Sequence, residues 1–409
     1  MSKVLYLSYD GMCDPLGGSQ VLPYLFGLVE RGHQISLVSF EKAGRTDAER
    51  ERVARACAEA GIDWHPLPYH KRPPVLSTML DVYRMRRLAE RLHRQKDFDL
   101  LHCRSYLAAL VGLRLKRRRD IPFIFDMRGF WADERVEGGL WNLRNPLFRA
   151  VYHYFKRRES ELLAEADRVV SLTEAGKSVI LGWRKDPQVG PPITVIPCCV
   201  DFDAFPAVTA RSRTSARKEL GIDQSAIVAA YLGSLGTWYL SDEMLDFLRV
   251  QIEQKPDAYL LVITRDSPEG VAASARARGV PEDRLIVRPA SRDEVPKLTA
   301  AADYGLFFIK PVFSKLSSSP TKMGEFLALE LPIVTNGGVG DVERIIAETG
   351  GGVVVRAFDD GAYRDALSAL DRLKPDMERW RAATRRWLDL AAGVDRYDLL
   401  YRTSTESLR

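Results

Sequence analysis

The sequence predicts an α/β protein made of two doubly wound domains. Two patterns carry that expectation. Short apolar β-like runs alternate with helical segments, and the alternation restarts after an irregular stretch near residue 203. A length of 409 residues, with 46% hydrophobic and 28% charged residues, suits two globular domains and argues against a largely disordered chain.

In order along the chain, residues 4–9 read as the first strand, 20–31 as a helix closed by Gly32, and 35–40 as a second strand. A helix over 75–95 leads to a strand at 99–103, and a helix over 108–116 to a strand at 122–126. Residues 145–165 form a long helix whose apolar stripe is Phe148, Val151, Phe155 and Leu162. Strands follow at 168–172 and 193–197. The second series has strands at 226–232, 259–264, 285–288, 304–309 and 331–335, with helices between them. Residues 203–216 lack a period and carry Pro206, so they read as a linker. Residues 376–407 read as helical. The expected division is therefore a domain over 1–202, a linker over 203–216, a second domain over 217–385, and a C-terminal helix over 386–409 that packs back on the first domain.

Net charge is +5 but unevenly spread: residues 71–158 hold 21 Lys/Arg against 9 Asp/Glu. This basic region fits an anionic partner, such as a membrane surface or a phosphorylated acceptor, and equally a solvated basic face. Residues 69–85 and 148–158 mix Tyr, Phe and Leu with Lys and Arg, as lipid-facing surfaces do. No helix-turn-helix, zinc or RNA-binding signature supports nucleic acid. The longest apolar runs are too short to span a bilayer. The first residues enter a strand directly, without a signal-peptide cleavage region. The five cysteines, at 13, 57, 103, 198 and 199, are odd in number and lack zinc-ligand spacing, so a reducing cytoplasm is expected.

Residues 313–338, FSKLSSSPTKMGEFLALELPIVTNGG, are the most informative stretch. Ser319 reads as an N-cap with Pro320 at the first helical position, opening a helix over 321–330. A helix start with hydroxyls around it, here Ser318, Ser319 and Thr321, suits an anion, and Lys322 adds a full charge. Glu325 stands about one turn, roughly 5 Å, further in. A phosphate at the helix end and a polyol against the carboxylate would fit, and a nucleotide offers both. A capped helix with a solvated Lys and Glu would use the same residues. Glycine-rich turns near strands, at Gly17-Gly18, Gly129, Gly233–Gly236 and Gly337–Gly340, could cradle a diphosphate on backbone N–H groups. None is a dinucleotide fingerprint or a phosphate loop.

These residues carry a resemblance. Gly17-Gly18-Ser19-Gln20, Asp99-Leu100-Leu101-His102 with Arg104-Ser105, the run Ile196-Pro197-Cys198-Cys199-Val200-Asp201, the turn Gly233-Ser234-Leu235-Gly236, Lys322–Glu325 and Gly337-Gly338 follow the order and spacing of a GT-B fold glycosyltransferase. More narrowly, the chain resembles the retaining bacterial glycosyltransferases of family 4. The resemblance implies two Rossmann-like domains facing a cleft, an N-terminal acceptor domain and a C-terminal nucleotide-sugar domain. It implies transfer of a glycosyl group from a nucleotide sugar to a hydroxyl, with retention. The acceptor would be a glycan or lipid-linked saccharide of bacterial surface polysaccharide synthesis. The enzyme would be cytoplasmic, on the inner face of the membrane where peripheral, and would need no cofactor or metal.

Donor-binding residues on this reading are Gly17, Gly18, Gly233, Ser234, Gly236, Ser318, Ser319, Thr321, Lys322 and Glu325. Asp126 and Arg128 end a strand in the first domain, where Asp126 would orient the acceptor hydroxyl and Arg128 would bind phosphate; His102 would line the same place. Two departures stand out. Ser317 occupies a position where the family often has a glutamate, and residues 233–239 lack the family's Arg and Lys, leaving Lys322 as the replacement charge. A sugar-nucleotide epimerase or hydrolase of the same fold, or a non-catalytic nucleotide-sugar-binding protein, would share these features.

Overall fold

The computed structural model describes residues 1–406 and contains two parallel sheets in two compact units. One unit comprises Met1–Pro197 and Leu390–Arg409, the other Cys198–Asp389. Residues 407–409, counted above with the C-terminal helix, lie outside the described residues.

The first unit holds β1 (Lys3–Ser8), β2 (Gln34–Glu41), β3 (Asp63–Pro68), β4 (Leu100–Arg104), β5 (Phe123–Asp126), β6 (Arg168–Ser171) and β7 (Ile193–Val195). All pair in parallel, in the order β3-β2-β1-β4-β5-β6-β7. Val4, Leu5, Leu7, Leu100, Leu101, Phe123 and Ile124 are fully buried, because helices on both faces demand near-continuous apolar strands. The edge strand β3 escaped the sequence pattern: Pro66 and Pro68 remove ladder donors, and its residues are only half-buried or exposed.

The second unit holds β8 (Ile227–Leu232), β9 (Ala258–Ile263), β10 (Leu285–Arg288), β11 (Tyr304–Phe307), β12 (Ile333–Asn336) and β13 (Gly352–Val355), in the order β10-β9-β8-β11-β12-β13. Each sheet therefore starts at its centre and winds both ways. The strand order reverses beside β1 and beside β8, and ligands of open parallel sheets bind at the carboxyl ends of such strands.

Three boundaries differ from expectation. Within the expected linker, Ala210–Leu220 is a helix started by a reciprocal capping box between Thr209 and Ser212 and closed by Gly221 at φ 69°. Its polar composition hid the helix. The C-terminal segment is two helices, Met377–Leu388 and Leu390–Glu406, because Asp389 is extended at ψ 127°. The first belongs to the second unit and the other to the first. Gly17 and Gly18 lie in a short helix, Pro15–Gln20, rather than a turn.

Candidate active site

In the second unit, β8 ends on Leu232 and the chain turns at Gly233 with φ 99°, a conformation only glycine adopts without strain. Asp266, just beyond β9, braces the turn by accepting from Leu235 N–H at 2.6 Å and from Ser234 Oγ at 3.3 Å. The Tyr231 hydroxyl donates to the Ser234 carbonyl at 2.5 Å. Gly233, Ser234 and Gly236 thus form an exposed loop on a rigid footing.

Lys322 meets this loop from the first turn of the helix Thr321–Ala328. Its Nζ lies 3.8 Å from the Tyr231 ring centroid and 3.5 Å from that of Tyr239. A Cβ built on Gly233 would stand 3.7 Å from that nitrogen. Lys322 is 6% exposed, and Nζ has no hydrogen-bond partner among the described residues. Burial pushes its pKa well below the ordinary lysine value, while Glu325 pulls the other way. Two aromatic faces favour a cation but supply no acceptor, so the ammonium still lacks an anion.

Ser319 does not cap this helix. The N-cap is Pro320, without a side-chain cap, because Ser319 Oγ accepts from Cys198 N–H at 3.1 Å instead. The helix start is left uncapped by side chains, a feature that favours an anion more than the expected serine cap would. Thr321 opens the helix and Ser318 ends a 3-10 turn, Phe313–Ser317; both are half-buried. Ser317 is buried and donates to the Ser314 carbonyl at 2.8 Å. Glu325 is buried and paired with Arg292, whose guanidinium sits 4.6 Å from the Phe205 ring centroid. Gly233 and Lys322 thus come together, with Tyr231, Tyr239 and Asp266 around them, and Glu325, held by Arg292, follows Lys322 one turn along the same helix.

The first unit gathers charge at the carboxyl ends of β1, β4 and β5. Asp126 accepts from the Tyr397 hydroxyl at 3.1 Å, and His102 Nε2 is 3.4 Å away. Arg104 and Arg128 each place a guanidinium nitrogen 3.9 Å from the carboxylate. Burial alone would raise the Asp126 pKa, but Arg128, His102 and Arg104 together hold it below the usual carboxylate range. Asp126 Oδ1 is buried without a hydrogen-bond partner among the described residues. Arg128, at φ 57°, and Gly129, at φ 128°, make the tight left-handed exit from β5. Arg104 Nε also donates to Asp10 at 3.1 Å, and the Asp10 side chain is 43% exposed.

His102 takes a different role from the one expected. It is 1% exposed, with Nδ1 2.7 Å from the Tyr401 hydroxyl and burial holding its pKa low. It ties β4 to the helix Leu390–Glu406 and does not reach solvent. Gly17 is a packing residue, since a Cβ there would fall 2.2 Å from the Gly11 carbonyl oxygen, whereas Gly18 has open space. Both belong to the unit that does not contain Lys322.

The Glycosyltransferase Family 4 model matches residues 23–204. D-inositol 3-phosphate glycosyltransferase of Segniliparus rotundus is 28% identical over 286 residues, 68% of this chain and 59% of that protein. The match thus spans about three fifths of the length of such relatives. Among solved structures, sucrose-phosphate synthase from Thermosynechococcus elongatus covers 100% of both chains with TM-score 0.74 and 14% identity. HepE of Anabaena, solved in complex with UDP-glucose, covers 100% of this chain and 99% of its own with TM-score 0.67 and 13% identity.

Proposed function

We propose that this chain, which has the GT-B fold and resembles glycosyltransferase family 4, moves a glycosyl group from a nucleoside-diphosphate sugar to a hydroxyl acceptor. The single observation that carries this reading is the Lys322 side-chain nitrogen, buried against two tyrosines, without an acceptor among the described residues, beside the Gly233 turn. Such a cation fits the diphosphate of a donor. The uncapped helix start fits its remaining oxygens, whereas the Gly233, Leu235 and Gly236 N–H groups of the neighbouring turn already donate to Ile263, Asp266 and Ser234. Glu325 fits ribose hydroxyls, exchanging its Arg292 contact for them.

In the proposed reaction the anomeric carbon exchanges its bond to the diphosphate oxygen for one to the acceptor oxygen, the acceptor hydroxyl gives up its proton to the departing diphosphate or to water, and charge builds on the leaving oxygen. Fixed positive charge at that oxygen lowers the barrier more than it lowers the ground state. On the acceptor side, Asp126, Arg104 and Arg128 form a rigid charged end of the first sheet, and exposed Asp10 is the carboxylate able to meet an acceptor hydroxyl. The finer reading is retention without a metal ion, acting on a lipid-linked saccharide or other glycan of bacterial surface polysaccharide synthesis at the cytoplasmic side of the membrane. The family resemblance and the basic 71–158 region support it.

The test has two stages. UDP-, GDP- and ADP-sugars are screened by thermal shift, beginning with UDP-glucose, which the HepE structure holds. The stabilising donor is then incubated alone and with lipid-linked and soluble glycan acceptors. Product that requires an acceptor supports transfer. Free sugar or an epimer from donor alone replaces it with hydrolysis or epimerisation, and binding without any product replaces it with a non-catalytic role.

A further inference from the structure

The first unit contains an apolar groove of about 920 Å³ that the donor chemistry does not use. This is near the upper end of small-molecule sites, roughly 300–1,000 Å³. Its walls come from three helices, Leu76–Lys96, Ser105–Arg119 and Pro146–Glu165, and from Trp131 and Trp141. Trp131, Trp141 and Phe155 form one aromatic wall, with ring centroids 4.7–5.9 Å apart. Val82, Leu110 and Val151 line the groove too. Its lining reaches the carboxyl edge of the sheet at Tyr9, Asp10 and Ser105, beside the Arg104–Asp126 cluster.

Two further features say what would cover it. Arg86 and Arg114 both line the groove, and each has a buried Nε without a hydrogen-bond partner among the described residues. Burial and then the charges of Arg118 and Arg86 push the Arg114 pKa down, so these cations oppose one another; the nearby carboxylate, Glu90, is 3.8 Å from Arg86 Nε. Lys71 and Arg135 add to the positive lining. Leu76, Met79, Leu80 and Tyr83 recur at i, i+3, i+4 and i+7 and are 64%, 63%, 42% and 47% exposed; Met79 and Tyr83 also line the groove, so the stripe continues its rim. An exposed apolar stripe of this kind beside excess positive charge is costly in water and favourable at an anionic bilayer surface.

We propose that the groove holds the hydrocarbon chain of the acceptor, a saccharide linked to a lipid phosphate or diphosphate, with its anionic group on Arg86 and Arg114. The proposal rests on the glycosyl-transfer reading and names the acceptor class for it. A chain in this groove would carry its head toward Asp10, at the sheet edge where the acceptor hydroxyl is placed.

The experiment titrates the full-length protein with a long-chain alkyl phosphate carrying a terminal bromine, which quenches tryptophan at contact range. Expected is saturable quenching, absent with inorganic phosphate. Val151→Phe, which fills the groove, reduces it. Arg86→Gln/Arg114→Gln weakens alkyl phosphate by about tenfold or more while leaving the matching alkyl alcohol unchanged, as loss of charged hydrogen bonds requires. Donor thermal shift on the same samples shows that the variants are folded and reads the donor site separately. Alkyl-phosphate binding without donor binding keeps the groove and removes the transfer reading. Donor binding without saturable quenching overturns the groove proposal and keeps the transfer reading. Quenching indifferent to both variants overturns it too, as does a concentration-dependent dimer, measured by light scattering, that Val151→Phe abolishes.

Discussion

Arg292 and Glu325 are ion-paired in the second unit, with the Arg292 guanidinium stacked 4.6 Å from the Phe205 ring centroid. The carboxylate proposed for the donor ribose is therefore already engaged. The pair is partly exposed on the arginine side, and such pairs contribute little, about 0–1 kcal/mol. Ribose hydroxyls compete for the same carboxylate. Arg292→Ala is expected to tighten nucleotide binding up to about fivefold, whereas Glu325→Ala loses a charged hydrogen bond and weakens it about tenfold or more. Calorimetric titration of both variants checks the opposite signs. Weakening in Arg292→Ala would instead make Arg292 a donor ligand.

Lys322 gives a prediction about both stability and protons. Burial holds its pKa well below that of a free lysine, so the unfolded chain binds the proton more readily. Stability is therefore lowered at pH values below the unfolded lysine pKa and recovers as pH rises toward it. Lys322→Met keeps the volume between Tyr231 and Tyr239 without a buried charge. It is expected to raise Tm at neutral pH while weakening nucleoside-diphosphate binding. A diphosphate would also raise the Lys322 pKa, so binding takes up protons wherever the pH lies between the values of the free and bound protein. Titration in buffers of different ionisation enthalpy reads that uptake, which Lys322→Met should abolish.

Two histidines hold the helix Leu390–Glu406 on the first unit. His102 contacts the Tyr401 hydroxyl at 2.7 Å, and His33 Nε2 is 2.8 Å from Asp398. Burial lowers the pKa of both. The folded state therefore prefers them neutral. Its stability is complete above the unfolded histidine value of about 6.5 and declines as pH falls below it. Amide exchange in residues 390–406 should accelerate at acidic pH more than exchange in the second unit. His102→Asn is expected to lower stability by about 1–3 kcal/mol at neutral pH and to flatten the acid slope. Equal acceleration in both units would remove this role.

Much of the fold was legible because parallel strands buried on both faces announce themselves as apolar runs: Val4–Leu7 and Val228–Leu232 are almost fully buried. The edge strand with Pro66 and Pro68, and the polar helix behind Thr209, lacked that signal. Local chemistry at the site was readable in the same measure. The Lys322–Glu325 spacing lies within one helix and so within a short stretch of sequence. The cap was misassigned because the partner of Ser319 is Cys198, 121 positions away, and no local pattern reports that contact. His102 stands at a strand end that reads equally as a contact or a structural position, and only the distant Tyr401, on the helix that covers it, shows the structural contact. Tyr231, Tyr239, Asp266 and Arg292 were missed because their significance depends on what folds against them.

The central claim is that the Lys322 ammonium receives the donor diphosphate. The direct measurement is a crystal structure of the protein with the nucleoside diphosphate, among UDP, GDP and ADP, that raises Tm most. The account predicts a diphosphate oxygen within hydrogen-bond distance of Lys322 Nζ, against the 233–236 turn, with ribose hydroxyls on Glu325. A nucleotide bound elsewhere, with Lys322 still enclosed by Tyr231 and Tyr239 and lacking a ligand oxygen, would contradict it.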